Sequence, residues 1–289
     1  MKYCDLHLHS HYSGGDLSCE ELVDRAAERN ITAIALADHN TIYGVAEMIV
    51  AGKKKGVEIV PAVEIYTEYK GKGLHLLGYN FDLDHLKLNQ VLDNLQAQHV
   101  DNVKKAFAKL KEYGFSIDYK SIQSLPTKYI SVAAIIDVLC GPPENYKIVQ
   151  KDCGKPDPDL FEIINKYFAK RSLSPIIHSS LLTPDAIKLV KEAGGVAILA
   201  HPGHRLTWEE DTIILELKEE GLVGIEAISS YHNWHQVEHY QYFAKKHGLV
   251  ITGGSDFHSE TRSRGNIINS MQDYMHIPYA IYENFKNIL

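Results

Sequence analysis

Apolar stretches of this chain repeatedly end in side chains that can hold a metal ion: Asp5-Leu6-His7-Leu8-His9, Asp38-His39, Glu64, His75, His201 and Asp256-Phe257-His258. His7 and His9 stand two apart in strand-like sequence, so both imidazoles project from one side of the pleat as a chelating pair. Taken singly, each group has an ordinary explanation. An isolated H-x-H is common, Glu64 after Val60-Pro61-Ala62-Val63 could be a hydrogen-bonded buried carboxylate, and His75 could be a core histidine. Together these explanations fail, because many desolvated imidazoles and carboxylates at one end of a sheet would go uncompensated, whereas cations satisfy them. Nitrogen and oxygen ligands without thiolates suit zinc, manganese or iron. Close-set divalent ions can bind a phosphate oxygen, bring a water's pKa near neutrality and stabilise the leaving oxygen. Phosphomonoester hydrolysis, among the slowest uncatalysed reactions, gains most from such help.

The elements that must position these groups alternate between strand and helix. Residues 2–8 read as a strand, and Ser18 with Glu21 forms a capping box that opens an amphipathic helix through Leu22, Val23, Ala26 and Ala27. A buried strand over 31–37 precedes a helix from about Thr41 to Lys53-Lys54-Lys55-Gly56, basic residues that suit a helix C-terminus. Strands are expected at 57–65 and 74–79. From 84 to 113 the spacing is helical, with Gly114 as a stop and further helices over 132–140 and 160–170, so 82–176 reads as a mostly helical insertion. Alternation resumes with Thr183-Pro184 as N-cap and first helical residue. It continues through strands at 196–200, 222–228 and 249–252 and helices near 209–220 and 236–246. Such βα units predict an α/β protein with a parallel sheet, closed or nearly so, whose C-terminal strand ends gather the site.

The totals narrow the function. With 289 residues, one domain carrying an insertion is admissible, and 45% hydrophobic and 23% charged residues are ordinary for a globular protein. No run of 18 apolar residues is present, and strand-like sequence begins near Met1 without the regions of a secretory signal, so no membrane association and a cytoplasmic location are expected. Cys4, Cys19, Cys140 and Cys153 form no C-x-x-C pair, which argues against a disulfide framework or thiolate zinc site. A net charge of −7 disfavours a broad grip on duplex nucleic acid and leaves small phosphorylated substrates or short single strands.

The motifs Asp5-Leu6-His7-Leu8-His9-Ser10, Ala37-Asp38-His39, Val63-Glu64-Ile65, Leu74-His75-Leu76-Leu77-Gly78-Tyr79, Ala200-His201-Pro202-Gly203, Gly224-Ile225-Glu226 and Gly254-Ser255-Asp256-Phe257-His258 resemble, in order and spacing, the polymerase-and-histidinol-phosphatase (PHP) family. The resemblance implies a distorted (β/α)7 barrel, formed by 1–81 and 177–289, with a trinuclear metal site at its mouth, and two or three divalent ions (manganese, zinc or iron) are expected in this chain. His7, His9, Glu64 and Asp256 would serve one ion, Glu64 would bridge to a second held by His75 and His201, and His39 and His258 would serve a third. The most similar branch carries a helical insertion at the corresponding place and includes nucleoside 3′,5′-bisphosphate phosphatases. In that branch an aspartate follows the serine of the first loop, where this chain has Gly14 after Ser13. Other branches put it where Asp16 stands, which makes Asp16 the expected carboxylate for the third ion. Asn40 replaces the aspartate common after the second-motif histidine.

Glu64, Asp256 and His232 are thus the expected catalytic residues. His204, Arg205, His232, Arg262 and Arg264 lie on loops where they could bind substrate phosphate, and His232 stands where resembling proteins have a polar substrate contact. The expected activity is hydrolysis of phosphomonoesters, most readily of nucleotides such as nucleoside 3′,5′-bisphosphates. Alternatives are 5′-to-3′ exonuclease action on short oligoribonucleotides, histidinol-phosphate phosphatase activity, and a metal-binding scaffold without catalysis.

Overall fold

Ser18 caps the first helix as its spacing predicts: its side chain accepts from Glu21 N, and the Glu21 carboxylate returns to Ser18 N at 2.8 Å. The computed structural model describes residues 1–123, 130–169, 172–174, 180–259 and 275–289. In chain order the elements are β1 (Tyr3–Leu8), α1 (Cys19–Glu28), β2 (Ile31–Leu36), α2 (Val45–Lys55), β3 (Glu58–Tyr69), β4 (Lys72–Tyr79), α3 (Leu86–Tyr113), α4 (Tyr119–Gln123), α5 (Val132–Cys140), α6 (Pro143–Cys153) and α7 (Leu160–Ile163), which runs into a π-helical turn. Then follow β5 (Leu181–Leu182), α8 (Thr183–Glu192), β6 (Val196–Leu199), α9 (Pro202–Arg205), α10 (Thr212–Glu219), β7 (Gly224–Ser229), α11 (Trp234–His247), β8 (Val250–Gly254) and α12 (Tyr279–Lys286). No helix among the described residues is long and apolar enough to cross a membrane.

The strands lie in the order β1-β2-β3-β4-β6-β7-β8, with the short β5 beside β3. Past the end of β8, Asp256 N donates to His7 O at 2.8 Å and His9 N donates to Phe257 O at 2.9 Å, which brings the last strand against the first. The result is a nearly closed seven-stranded barrel. Its interior holds Leu6, Ala33, Ala35, Val60, Ala62, Leu77 and Ile198, with Tyr79 donating its hydroxyl to Leu6 O. The two-residue period that turns Val60 and Ala62 inward also turns Glu64 inward, at the mouth.

Three local expectations are corrected. Helix α2 begins at Val45 rather than Thr41, because Asn40 takes a left-handed φ of 50° and Thr41 Oγ1 accepts Tyr43 N, which turns the chain before helix can start. Thr183 is the first helical residue and not the cap; its hydroxyl donates across the sheet to Thr67 Oγ1. The largest correction concerns strand direction. Lys70 and Gly71, both with positive φ, make a two-residue hairpin turn, so β4 runs antiparallel to β3 and β6 in an otherwise parallel barrel. His75 is therefore near the start of its strand, opposite Tyr66.

This reversal sends the chain out of β4 at the end of the barrel away from the mouth, where Tyr79 pairs with Val196. Helix α3, 28 residues and thus about 42 Å long, carries it back. Lys87 meets Glu192 near the far end, and Gln96 donates to His39 O at the mouth. Leu88, Leu92 and Leu95 of α3 belong to the core between barrel and outer helices, whereas Val103, Phe107 and Leu110 belong to a separate cluster with Phe115, Ile135, Ile136 and Leu139. One helix thus joins two cores.

Closure depends on a close approach at Gly254, where a Cβ atom would stand 2.2 Å from His7 Cβ and 2.6 Å from His7 N. Gly254→Ala should destabilise the fold by about 1–3 kcal/mol, the usual cost of overpacking. An unchanged urea midpoint would show that β1 and β8 do not meet this tightly.

Candidate metal centre

Six strands deliver the ligand candidates to one mouth: His7 and His9 from β1, His39 after β2, Glu64 on β3, His75 on β4, His201 after β6, and Asp256 and His258 after β8. Three of the turns bend sharply enough to put non-glycine residues at positive φ: Asn40 at 50°, His201 at 26° and Asp256 at 53°. Backbone strain of this kind persists only where surrounding structure over-determines it. Asn40 suits its position because a short amide tolerates the left-handed region, and its Oδ1 accepts Tyr66 N at 3.1 Å.

Glu64, fully buried, is the centre of the arrangement. Its Oε1 lies 2.7 Å from His75 Nδ1 and 3.1 Å from His201 Nε2. Its Oε2 lies 2.7 Å from His39 Nδ1, 3.4 Å from His7 Nε2 and 3.5 Å from His9 Nε2. The two oxygens of one carboxylate thus face two different sets of imidazoles. Asp256 Oδ1 adds contacts of 2.7 Å to His9, 3.4 Å to His7 and 3.7 Å to His258 Nδ1.

Converging ligand atoms form four groups: His7, His9, Glu64 and Asp256; Glu64, His75 and His201; His9, His39 and His258; and His7, His201 and Glu226. His7 Nε2, Glu64 Oε2 and His201 Nδ1 are buried and make no hydrogen bond. Leaving such atoms unsatisfied is costly, and cations between them would remove the cost, so the residues fit divalent metal ions. The electrostatics agree. Burial would raise the Glu64 pKa, yet His75, His7 and His39 hold it well below the carboxylate range. Burial, reinforced by His258 and His39, pushes His9 well below 6.5, and burial lowers His75 to about 3. These are ionised carboxylates beside neutral imidazoles, the protonation states that ligation requires. His7 is the exception: Glu226, Asp256 and Glu64 outweigh its burial and raise its pKa well above 6.5, so a proton is favoured where a cation would bring the same charge.

Further buried carboxylates hold the ligands in place. Glu226 Oε1 lies 3.0 Å from His7 Nδ1, while its Oε2 accepts His201 N at 2.9 Å. Asp5 accepts the amide and hydroxyl of Ser255, and Asp38 accepts Ser10 N, Ser10 Oγ and Ser13 Oγ. Burial lifts Asp38 to about 6 against the pull of those bonds. Glu226 stood in the sequence as an acid inside the apolar run Gly224-Ile225-Glu226-Ala227-Ile228, a signal to which no role had been attached. Tyr66 and Tyr231 were also missed. The Tyr66 ring stacks on His39 at 4.8 Å, and the Tyr231 ring packs 5.1 Å from His201 and 4.2 Å from His204.

Not every expected residue joins the cluster. Asp16 is exposed, its carboxylate accepts the Ser259 hydroxyl, and it belongs to none of the four groups. His232 was expected to touch substrate, but both its ring nitrogens meet backbone: Nε2 accepts Gly203 N at 3.0 Å and Nδ1 donates to Ala227 O at 2.9 Å. It clips the loop after β6 to β7. Arg205 and His204 stand at the rim, where Arg205 Nη2 donates to His75 Nε2 at 3.1 Å, and desolvation followed by Arg205 lowers His204 to about 4. Arg262 and Arg264 lie outside the described residues.

The PHP domain profile matches residues 5–169. The chain is 31% identical to a 5′-3′ exoribonuclease of Haemophilus influenzae, over 89% of this chain and 90% of that protein. It is 26% identical to a 3′,5′-nucleoside bisphosphate phosphatase of Chromobacterium violaceum, over 90% and 88%. A solved structure from Chromobacterium violaceum, described as an amidohydrolase with bound sulfate and no metal, superposes with a TM-score of 0.77 at 24% identity, covering 98% of this chain and 96% of that one. That likeness bears on the fold alone.

Glu226 accepts from two donors, one on each oxygen, and glutamine can offer only one acceptor oxygen. Glu226→Gln should lower metal affinity about 10- to 100-fold, as loss of groups that orient ligands commonly does. Competition against a chelator measures this; wild-type affinity in the variant would deny Glu226 any part in holding His7 and His201.

Proposed function

We propose that this chain, which belongs to the PHP family of metal-dependent phosphoesterases, hydrolyses phosphomonoesters of nucleotides, with nucleoside 3′,5′-bisphosphates the foremost substrate class. The observation that carries the reading is the division of labour on Glu64. Its Oε1 serves His75 and His201, and its Oε2 faces His7, His9 and His39, as a carboxylate bridging two ions would. His7, His9, Glu64 and Asp256 would hold one ion, and Glu64, His75 and His201 the other. Divalent ions bound there supply the positive charge that draws in a phosphate and brings a water's pKa toward neutrality.

The chain's own residues do the rest. Asp256, buried and kept anionic by His7, His258 and His9 against desolvation, fixes the His7 and His9 side of the site. Arg205 offers guanidinium donors at the rim beside His75, suited to a non-bridging phosphate oxygen. The insertion leans on the mouth: Gln96 donates to His39 O and Asn40 O, and Ser131 lies close against Gly14. A wall at that position favours small substrates over long strands. By their names, one of the relatives above acts on RNA and the other on nucleoside bisphosphates, which supports a nucleotide substrate.

A second reading, 5′-to-3′ exonuclease action on short oligoribonucleotides, is supported by the 31% identity to the Haemophilus influenzae enzyme. Phosphate release from nucleoside bisphosphates, mononucleotides and sugar phosphates, compared with chain shortening of oligoribonucleotides at equal enzyme and manganese, separates the two. Preference for bisphosphates supports the phosphatase; stepwise shortening with little phosphate release supports the exonuclease. No hydrolysis of either class by metal-loaded protein would sink both. Glu64→Gln, which removes the shared charge, should lower turnover at least 100-fold, a loss of about 2.7 kcal/mol in transition-state stabilisation. Full turnover in the variant would exclude the bridging role.

A further inference from the structure

Three corners surround the Glu64 carboxylate, but the carboxylates are not shared evenly. Glu64 Oε2 and Asp256 Oδ1 both face His7 and His9, and Glu64 Oε1 faces His75 and His201. The remaining corner is the group His9, His39 and His258, which contains no acid among the described residues. His9 is already committed there. Its Nε2 lies 2.7 Å from Asp256 Oδ1 and its Nδ1 lies 3.2 Å from Ser13 Oγ. His258 Nδ1 donates to Asp256 O at 2.9 Å, which leaves only its Nε2 for a ligand. The carboxylate oxygen beside His39 is Glu64 Oε2, the same atom that faces His7 and His9.

Among the described residues, the backbone at position 14 keeps a side chain out of this corner. Gly14 has a φ of 114°, and a Cβ built on it would come 3.1 Å from Ser131 Cβ and 4.0 Å from His258 Cδ2. A side chain at position 14 would enter the space beside His258, and the chain has glycine there with the cap of α5 packed on top. Asp16 does not fill the gap. Its amide donates to His258 O at 2.8 Å, so its backbone supports the loop, while its carboxylate accepts from Ser259 and the residue is exposed.

We infer that the centre retains two divalent ions per chain and that the corner of His39 and His258 retains none, departing from the three-ion set that resemblance implied. The physical reason is ligand number and charge. Protein sites that hold such ions firmly supply three or four ligands, and a double positive charge flanked by two imidazoles with no carboxylate of their own lacks compensation. The inference rests on the two-ion reading of Glu64 given above.

Metal counting tests it without any activity measurement. The full-length protein is saturated with Mn(II), and in parallel with Zn(II), desalted, and assayed by plasma mass spectrometry against protein from amino-acid analysis. Wild type should keep two ions per chain, and Asp16→Ala, a change at an exposed position, should keep the same two. Equilibrium dialysis at rising free metal should reveal any third ion only as a weak component lost on desalting. Three ions retained by wild type, or one fewer in Asp16→Ala than in wild type, would overturn the inference and leave the phosphoesterase reading standing. A wild-type count of one or none would overturn it together with the bridging role of Glu64.

Discussion

A single carboxylate in the company of five imidazoles governs this molecule. Glu64 has lost its water to burial, and an anion so placed is tolerable only where positive charge or donors surround it. His7, His9, His39, His75 and His201 provide that surround, each within 3.5 Å of a Glu64 oxygen. They come from strands and loops spread over nearly two hundred residues, so the Glu64 environment exists only when the barrel has closed. Burial keeps His9 and His75 neutral, and neutral imidazoles beside an ionised Glu64 form a ligand set suited to cations.

Closing the barrel and building the centre are one event. The hydrogen bonds that draw Asp256 and Phe257 onto β1 run to the backbone of His7 and His9 themselves. Behind them, Asp5 holds Ser255, Asp38 holds Ser10 and Ser13, and Glu226 reaches both His7 and His201. Each of these acids is buried and finds its partners across a seam between elements. The strained φ angles at Asn40, His201 and Asp256 fall at the mouth for the same reason, since the chain must turn abruptly to aim a side chain inward.

The reversed strand gives the molecule its second body. Because β4 runs against its neighbours, His75 reaches the mouth from the beginning of a strand and the chain then departs at the opposite end. A long helix is the direct way back, and α3 uses its first half to cover the barrel and its second half to found another core. His99, buried on that helix, meets Ile130 O at 2.7 Å, which ties the start of α5 to α3 beside the mouth. Among the described residues, the second core is joined to the centre through α3, which is anchored on the barrel.

The sequence determined the parts whose physics is local. Capping by Ser18 and Glu21, the inward period that ends in Glu64, and the paired spacing of His7 and His9 follow from neighbours along the chain. So does the recurrence of imidazoles and carboxylates after apolar runs, which is why the ligand candidates could be named in advance. Strand direction could not be read so easily, because Tyr69-Lys70-Gly71-Lys72 carries only a weak turn signal and apolar periodicity is blind to polarity. The tertiary structure alone decided which atoms face which. His232 looked available until both its nitrogens met backbone, and Asp16, expected beside His39 and His258, turns its Oδ2 to the Ser259 hydroxyl. Glu226 was one acid in a strand until His7 and His201 arrived from distant elements to share it. A ligand's type is written in its own side chain, but its free lone pair depends on partners that only the closed barrel brings within reach.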